Sequence, residues 1–271
     1  MPDEILANLF AQKLIARTDV KAQQSRDGKW FVHTTTRKHD GPRIPWRRED
    51  LNAHIEGSAT FGHYLLSTDS KTKLFAFDID LEKAGTLPTG QYFAENAEPE
   101  FAPEEDLRSA WLNRAHPARD YMKYQFKQIA SELCRSIVEE LEIPCAVAYS
   151  GGKGIHVYGL TGLISARDAR MGARIVLDSI EGIKPTKGEV FFASQKYPNL
   201  SIEVFPKQDS LDGKDLGNLM RLPLGRNQKS TDPTFFIDMS SPLAEFRPLD
   251  PVTALTIDNP WNIPAITPWS N

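Results

Sequence analysis

In residues 73–80, KLFAFDID, the side chains sort by parity. Successive residues of a strand point to opposite faces. Phe75, Phe77 and Ile79 therefore share one face, and Ala76, Asp78 and Asp80 share the other. The first set suits a core. The second carries two carboxylates whose Cα atoms lie roughly 6–7 Å apart at about 3.3 Å rise per residue. Two like charges this close are unfavourable unless a cation sits between them. The segment thus demands a sheet covered on one side and open to solvent or cations on the other. Residues 200–205, LSIEVF, repeat the pattern. Leu200, Ile202 and Val204 take the core face; Ser201, Glu203 and Phe205 take the other. If the two strands are neighbours, Glu203 completes an acidic triad. Oxygen-only donors suit Mg²⁺ or Mn²⁺. Two such ions about 3.5–4 Å apart can activate a hydroxyl and stabilise a leaving pyrophosphate. A D-x-D pair alone does not establish this, because solvated sheet faces carry it too.

The second informative stretch is AYSGGKGIHVYGL, residues 148–160. Apolar runs flank a turn made of Ser150, Gly151, Gly152, Lys153 and Gly154. Beyond it, alternation puts Gly154, His156 and Tyr158 on one face. Glycines let backbone N–H groups approach phosphate oxygens. The Ser150 hydroxyl, the Lys153 ammonium and the His156 imidazole add donors, and the set suits a nucleoside triphosphate. A Walker A loop needs Ser or Thr after the lysine and then a helix. Here Gly154 and a β-branched strand follow, so that motif is rejected. The plain alternative is a hairpin turn with an incidental lysine. Downstream, GNLMRLPLGRNQK (217–229) supplies Arg221, Arg226 and Lys229. Arg221 lies in a short apolar strand, where an unpaired guanidinium is costly. It calls for an anionic partner: a triphosphate, a catalytic carboxylate or a structural acid. Lys207 is a weaker candidate.

The remaining chain sets the context. A helical stripe runs from about Asp3 to Ala16, and a short strand is expected around Trp30 to Thr34. Between them and the acidic strand lies a basic stretch, RKHDGPRIPWRRED, with Arg37, Lys38, Arg43, Arg47 and Arg48. It could track a nucleic-acid backbone or be a solvated surface. Residues 81–104 have no period and read as a functional or mobile loop. Helices are predicted from Pro117 to before Pro144 and over Ala166 to Ile180. Further strands are predicted at Leu219 to Leu222 and Thr234 to Ile237. After Ser241 the chain is rich in proline and reads as an extended tail wrapping the domain, or as a linker. With 271 residues and 40% hydrophobic content, the chain can build one large domain or two small modules sharing a core. Net charge is −4, which excludes a protein coated in basic surface but not a local basic groove. No apolar run is long enough for a membrane span, and the acidic N-terminus is unlike a signal peptide, so a cytoplasmic protein without membrane partners is expected. The two cysteines, Cys134 and Cys145, read as buried small hydrophobes. His33, His39, His54, His63 and His116 show no metal-ligand spacing.

Four of these segments resemble, in order, the motifs of the archaeo-eukaryotic primase superfamily. FDID is similar to its metal-binding motif I. SGGKGIHVY is similar to motif II, whose Ser, Lys and His contact the incoming nucleotide, and is close to the version in the polymerase domain of the bacterial end-joining ligase D. IEVFPK resembles motif III, with Glu203 where many members have Asp. NLMRLPLG resembles the Arg-bearing strand that follows. The overall pattern over about residues 55–240 looks most like primase-polymerases of TOTE conflict systems, their CRISPR-associated relatives and similar phage or plasmid enzymes. The resemblance implies an α/β (α+β) fold: an N-terminal α/β module fused to an RRM-like catalytic sheet, with the site in the cleft between them. It implies a catalytic domain over 1–240, followed by the proline-rich 241–271. It implies template-dependent extension of a 3′-hydroxyl by a DNA primase or polymerase. Asp78, Asp80 and Glu203 would hold two divalent ions. Ser150, Gly152, Lys153, Gly154, His156 and Arg221 would hold an NTP or dNTP. Arg43, Arg47, Arg48 and Arg226 are candidates for a single-stranded DNA template or primer-template. A helicase or primer-binding domain is an expected neighbour. No structural zinc is expected, since the cysteines that several relatives use are missing. A two-metal nuclease and a non-catalytic RRM-like binding module are the competing readings. The first leaves the glycine turn without a role, and the second calls for aromatic residues at the sheet centre in place of acids.

Overall fold

In the computed structural model, which describes residues 4–36, 41–89 and 100–257, KLFAFDID is the middle of a long strand. In chain order, α1 (Glu4–Lys13), β1 (Ala22–Gln24), β2 (Trp30–Val32), α2 (Arg48–Ile55) and β3 (Phe61–Tyr64) come first. The long strand is β4 (Lys71–Leu81), followed by the short ribbon β5 (Ala84–Gly85) and β6 (Glu105–Asp106). Then come α3 (Leu107–Leu112), α4 (Arg119–Leu141), β7 (Cys145–Tyr149) and β8 (Gly154–Ser165). Next are α5 (Ala166–Asp178), β9 (Ile183–Lys187), β10 (Phe191–Ser194) and β11 (Leu200–Phe205). The last elements among the described residues are β12 (Leu219–Arg221), β13 (Phe235–Phe236) and α6 (Pro251–Thr256). Among the described residues the larger sheet has seven strands in the order β13-β7-β8-β4-β11-β10-β9, with β4 at its centre. The smaller has four, in the order β12-β3-β1-β2. The expected mixed α/β class is what forms.

Parity explains the layers. Phe75, Phe77 and Ile79 are fully buried, together with Ile155 and Val157 of β8 and Ile202 of β11. They pack beneath α4 and α5, against Phe126, Ile129, Leu133, Ala169 and Ala173. Each fully buried Phe, Ile or Val contributes about 1.5–3 kcal/mol. Helix α4 carries its apolar residues at helical spacing and ends on Glu142 in the left-handed conformation, two residues before Pro144. Helix α5 starts on Ser165, whose hydroxyl oxygen accepts the Asp168 N–H at 3.0 Å. The opposite face of the larger sheet divides in two. Leu74, Ala76, Tyr158 and Phe205 are covered by Phe10, Met220 and Leu222. Farther along β4, that cover stops and Asp78 and Asp80 begin.

Several elements differ from expectation. Strand β1 is three residues of AQQ and has no apolar period to reveal it. Helix α2 starts inside the basic stretch, where only Leu51 and His54 are buried. Strand β9, IKPTK, is a polar edge strand containing a proline. The small sheet is not built from N-terminal residues alone, because β12 returns from far along the chain to pair with β3. Within the stretch read as a loop lies β5, which pairs with β6 just beyond its end, and residues 90–99 lie outside the described residues. After Ser241 the described part packs against the rest of the domain. The buried Lys127 ammonium donates to the carbonyls of Ser241 at 2.6 Å and Pro242 at 3.0 Å. Helix α6 packs on α1 with Ala254 and Leu255 buried. The rest of the expected tail, 258–271, lies outside the described residues. Cys134 and Cys145 are both buried and unbridged. Among the described residues no helix is long and apolar enough to cross a membrane.

Candidate active site

Register assembles the acids. On β4, Asp78 lies opposite Glu203 of β11 on one side and opposite His156 of β8 on the other. Asp80 lies opposite Ser201 and Gly154. Paired residues of antiparallel strands share a face. His156, Asp78 and Glu203 therefore form one row across three strands, with Asp80 in the next row. This is the arrangement expected if the two acidic strands were neighbours. Each acid meets a positive or polar partner. Lys153 Nζ is 3.0 Å from Asp80 Oδ2. Lys207 pairs with Glu203. His156 Nε2 is 3.5 Å from Asp78 Oδ1. Burial, then the charges of Asp80 and Glu203, push the Asp78 carboxyl far above the usual carboxylate range, to about 8. Lys153 and Arg221 act in the opposite sense on it.

The donor set is oxygen-rich and its negative charge is only partly offset, which fits hard divalent cations. As the side chains stand, however, Asp80 and Glu203 are turned to different lysines. Among the described residues no group of three His, Cys, Asp or Glu side chains is gathered as a metal cluster.

The glycine turn is rigidly held by its carbonyls. Gly154 O accepts from the Ser150 N–H at 3.1 Å and from the Ser150 hydroxyl at 2.8 Å. Gly152 O accepts from Trp111 Nε1 at 2.6 Å and from the Tyr149 hydroxyl at 3.0 Å. Gly151 O accepts from Asn227 Nδ2 at 3.1 Å and from the Ser230 hydroxyl. Among the described residues no acceptor is paired with the N–H groups of Gly151, Gly152 and Lys153. Pinned carbonyls with free amides form a concavity suited to an anion. The Ser150 hydroxyl closes the turn rather than pointing at a ligand as the sequence suggested. Gly151 adopts φ +70°, in the region where glycine is favoured. Gly154 is required for a different reason. A Cβ there would lie 2.2 Å from Asp80 Oδ1 and 2.3 Å from the Ile79 carbonyl oxygen. Gly154→Ala is therefore expected to lower the melting temperature by several degrees and to displace Asp80, removing most nucleotide incorporation. A variant with wild-type melting and activity would contradict that close approach.

Arg221 comes from the other sheet. It donates through Nη1 to the Ser150 carbonyl and lies 5.8 Å from the Trp30 ring centroid. Its Nε is buried and has no hydrogen-bond partner among the described residues. Burial lowers its pKa, while Asp78 and Asp80 act against that change. Among the described residues no carboxylate forms a direct ion pair with Arg221. The guanidinium spans the cleft and keeps a donor in reserve. Burial and then Arg221 hold His156 neutral, with its pKa depressed to about 3. Its Nδ1 is 2.8 Å from the Tyr158 hydroxyl. With Nδ1 accepting from the Tyr158 hydroxyl, Nε2 carries the proton and faces Asp78.

Asp78, Asp80, Ser150, Gly152, Lys153, His156 and Arg221 line a cleft of about 490 Å³ between the two sheets, whereas Glu203, paired with Lys207, is not among its lining residues. Trp30, Leu219 and Arg221 wall one side; Asp78, Asp80 and His156 wall the other. Trp30, Arg108 and Asn227 also line it and had no motif to mark them; only their placement by β2, α3 and the segment after β12 reveals them. The basic candidates are not brought here. Arg43 pairs with Asp215, and Arg48 with Glu4 at 2.8 Å. The Arg47 N–H donates to Asp50 Oδ2 at 2.7 Å, and Arg226 donates to the Thr231 carbonyl at 2.9 Å. Arg37 and Lys38 lie outside the described residues. Lys229, by contrast, does line the cleft.

A family model described as "TOTE conflict system, Archaeo-Eukaryotic Primase domain" matches residues 8–250. Among solved structures, the chain is similar to the polymerase domain from Mycobacterium tuberculosis ligase D in complex with DNA. That similarity is at 12% identity and a TM-score of 0.44, over 93% of this chain and 84% of the other. No curated protein matches the chain.

Proposed function

The chain belongs to the archaeo-eukaryotic primase domain family of the TOTE conflict system, and from that premise we propose that it is a nucleotidyltransferase, a primase-polymerase that extends a 3′-hydroxyl with NTPs or dNTPs on a single-stranded DNA template. The observation that carries this reading is the row of Asp78, Glu203 and His156 beside a turn whose carbonyls are pinned and whose amides are free.

The residues have separate roles. The N–H groups of Gly151, Gly152 and Lys153 hold phosphate oxygens, and the pinned carbonyls keep them aimed without reorganisation. The Lys153 ammonium moves between Asp80 and a phosphate. Arg221 donates across the cleft and positions the turn through Ser150. His156 acts as a neutral Nε2–H donor, held in that form by Tyr158 and burial, so it orients without adding charge. Asp78, Asp80 and Glu203 are the residues that would hold Mg²⁺ or Mn²⁺. Holding an ion there means exchanging the lysine contacts of Asp80 and Glu203. When bound, such ions lower the pKa of the attacking hydroxyl and neutralise charge on the departing pyrophosphate.

The test is to incubate the protein with labelled nucleotides, ribo- and deoxyribo- in parallel, on unprimed and primed single strands with Mg²⁺ or Mn²⁺. Metal-dependent, template-dependent incorporation is expected. No incorporation with either sugar and either metal would overturn the reading. Degradation of a labelled strand without nucleotides would favour a nuclease.

A further inference from the structure

The face that carries the acids continues beyond Glu203. Phe191 of β10 lies opposite Glu203, and Lys187 of the edge strand β9 lies opposite Phe191. In the next row, Ala193 lies opposite Ser201, and Lys184 lies opposite Ala193. Asp78, Glu203, Phe191 and Lys187 are therefore one row on one face. Lys184 and Lys187 are three apart, and regular alternation would send them to opposite faces. The register shift between Phe191 and Phe192 brings both to the same one. Phe191 is 37% exposed, while its neighbour Phe192 is 2% exposed in the core.

Charge follows the same geometry. The Lys207 ammonium lies 5.8 Å from the Phe191 ring centroid while pairing with Glu203. Among the described residues neither Lys184 nor Lys187 takes part in an ion pair. The nearby acids Glu189 and Asp209 are engaged by Arg170 at 3.5 and 3.1 Å. A bulged edge strand with lysines and a proline also discourages edge-to-edge pairing. That role does not account for a partly exposed aromatic ring one strand spacing, about 4.8 Å, from Glu203 in the acidic row.

We propose that Phe191, Lys184 and Lys187 form a binding surface for the single strand of nucleic acid whose 3′ end enters the cleft, with Phe191 stacking on a base and the lysines contacting phosphates. The occupant follows from continuity with the candidate active site and from charge: an exposed ring flanked by free ammonium groups fits a polyanion with π faces. The proposal rests on the primase-polymerase reading and adds to it the surface that receives the strand.

The test uses the full chain and a fluorescent oligothymidylate, with binding followed by anisotropy over a range of salt. Phe191→Ala is expected to weaken binding about tenfold, and Phe191→Trp to restore it, as stacking on an exposed ring requires. Lys184→Ala with Lys187→Ala should flatten the slope of log affinity against log salt by about 1.4, roughly 0.7 for each single-strand phosphate that no longer meets an ammonium group. Melting temperatures and metal-dependent nucleotide binding should stay at wild-type values. Wild-type strand affinity and slope in both variants, with nucleotide binding intact, would overturn this surface alone. Absence of nucleotide binding in the wild-type protein strikes the primase-polymerase reading, and with it the assignment of which end of the strand arrives.

Discussion

Replacing Asp78 and Asp80 together by alanine is expected to reduce nucleotide incorporation by about 10³-fold or more while making the metal-free protein more stable. The loss follows from removing oxygen donors whose stabilisation of developing charge is worth several kcal/mol, at tenfold per about 1.4 kcal/mol. The gain follows from the burial of the Asp78 carboxyl and then from the mutual repulsion of Asp78, Asp80 and Glu203, which lie in two adjacent rows of one sheet face. Its sign is fixed by the Asp78 carboxyl, whose folded-state pKa is raised to about 8. Between about pH 4 and 8 the folded protein then binds more protons at this site than the unfolded chain does. Stability therefore falls as pH rises through that window, and the loss is complete above the folded pKa. Asp78→Asn should flatten that decline. At neutral pH it should stabilise the metal-free protein by on the order of 2 kcal/mol, less than the full shift implies at about 1.4 kcal/mol per unit because the side chain still reaches solvent. Melting curves at pH 5 and pH 8, with and without millimolar Mg²⁺, test both parts. Mg²⁺ should raise the wild-type melting temperature and leave the double variant nearly unchanged. Retained extension by the double variant would remove the acids from the chemistry. Equal pH dependence in wild type and Asp78→Asn would remove the repulsion argument.

Arg221→Ala is expected to weaken triphosphate binding by about 10- to 100-fold, the range for losing charge-assisted hydrogen bonds worth about 1.5–3 kcal/mol. The side chain is half-buried, reaches the turn through the Ser150 carbonyl, and carries a buried Nε that has no partner among the described residues. Arg221→Lys should recover only part of the affinity, because a lysine keeps the charge but not the planar fork that serves the turn and a ligand together. A second readout separates a ligand contact from a merely structural one. Arg221 acts to lower the pKa of both His156 and Asp78. Its removal should shift the pH profile of nucleotide binding upward as well as weaken affinity. Triphosphate binding within about twofold of wild type in Arg221→Ala would sink its assigned role.

Much of the site was legible because it is written in short-range periods. The parity of KLFAFDID and LSIEVF named the core face and the acidic face residue by residue. The break from the Walker pattern at Gly154 correctly signalled a strand rather than a helix after the turn. The elements missed were those without a period: AQQ of β1, the six residues of α3, and the polar edge strand β9. The basic stretch drew attention by composition, yet Arg43 and Arg48 are taken up by Asp215 and Glu4, and neither lines the cleft. Phe191 went unmarked because a lone aromatic beside Phe192 reads as core until the partner strand shows which face it takes.

Alternation along one strand depends only on backbone geometry, so the sequence by itself determined which side chains of β4, β8 and β11 share a face. Three things were decided only by tertiary packing: that β11 lies beside β4 with Glu203 opposite Asp78, that β12 joins the other sheet and carries Arg221 across the cleft, and that Lys153 and Lys207 reach the acids. Strand neighbours are chosen by burial of whole faces across long separations in the chain, and no local pattern encodes that choice.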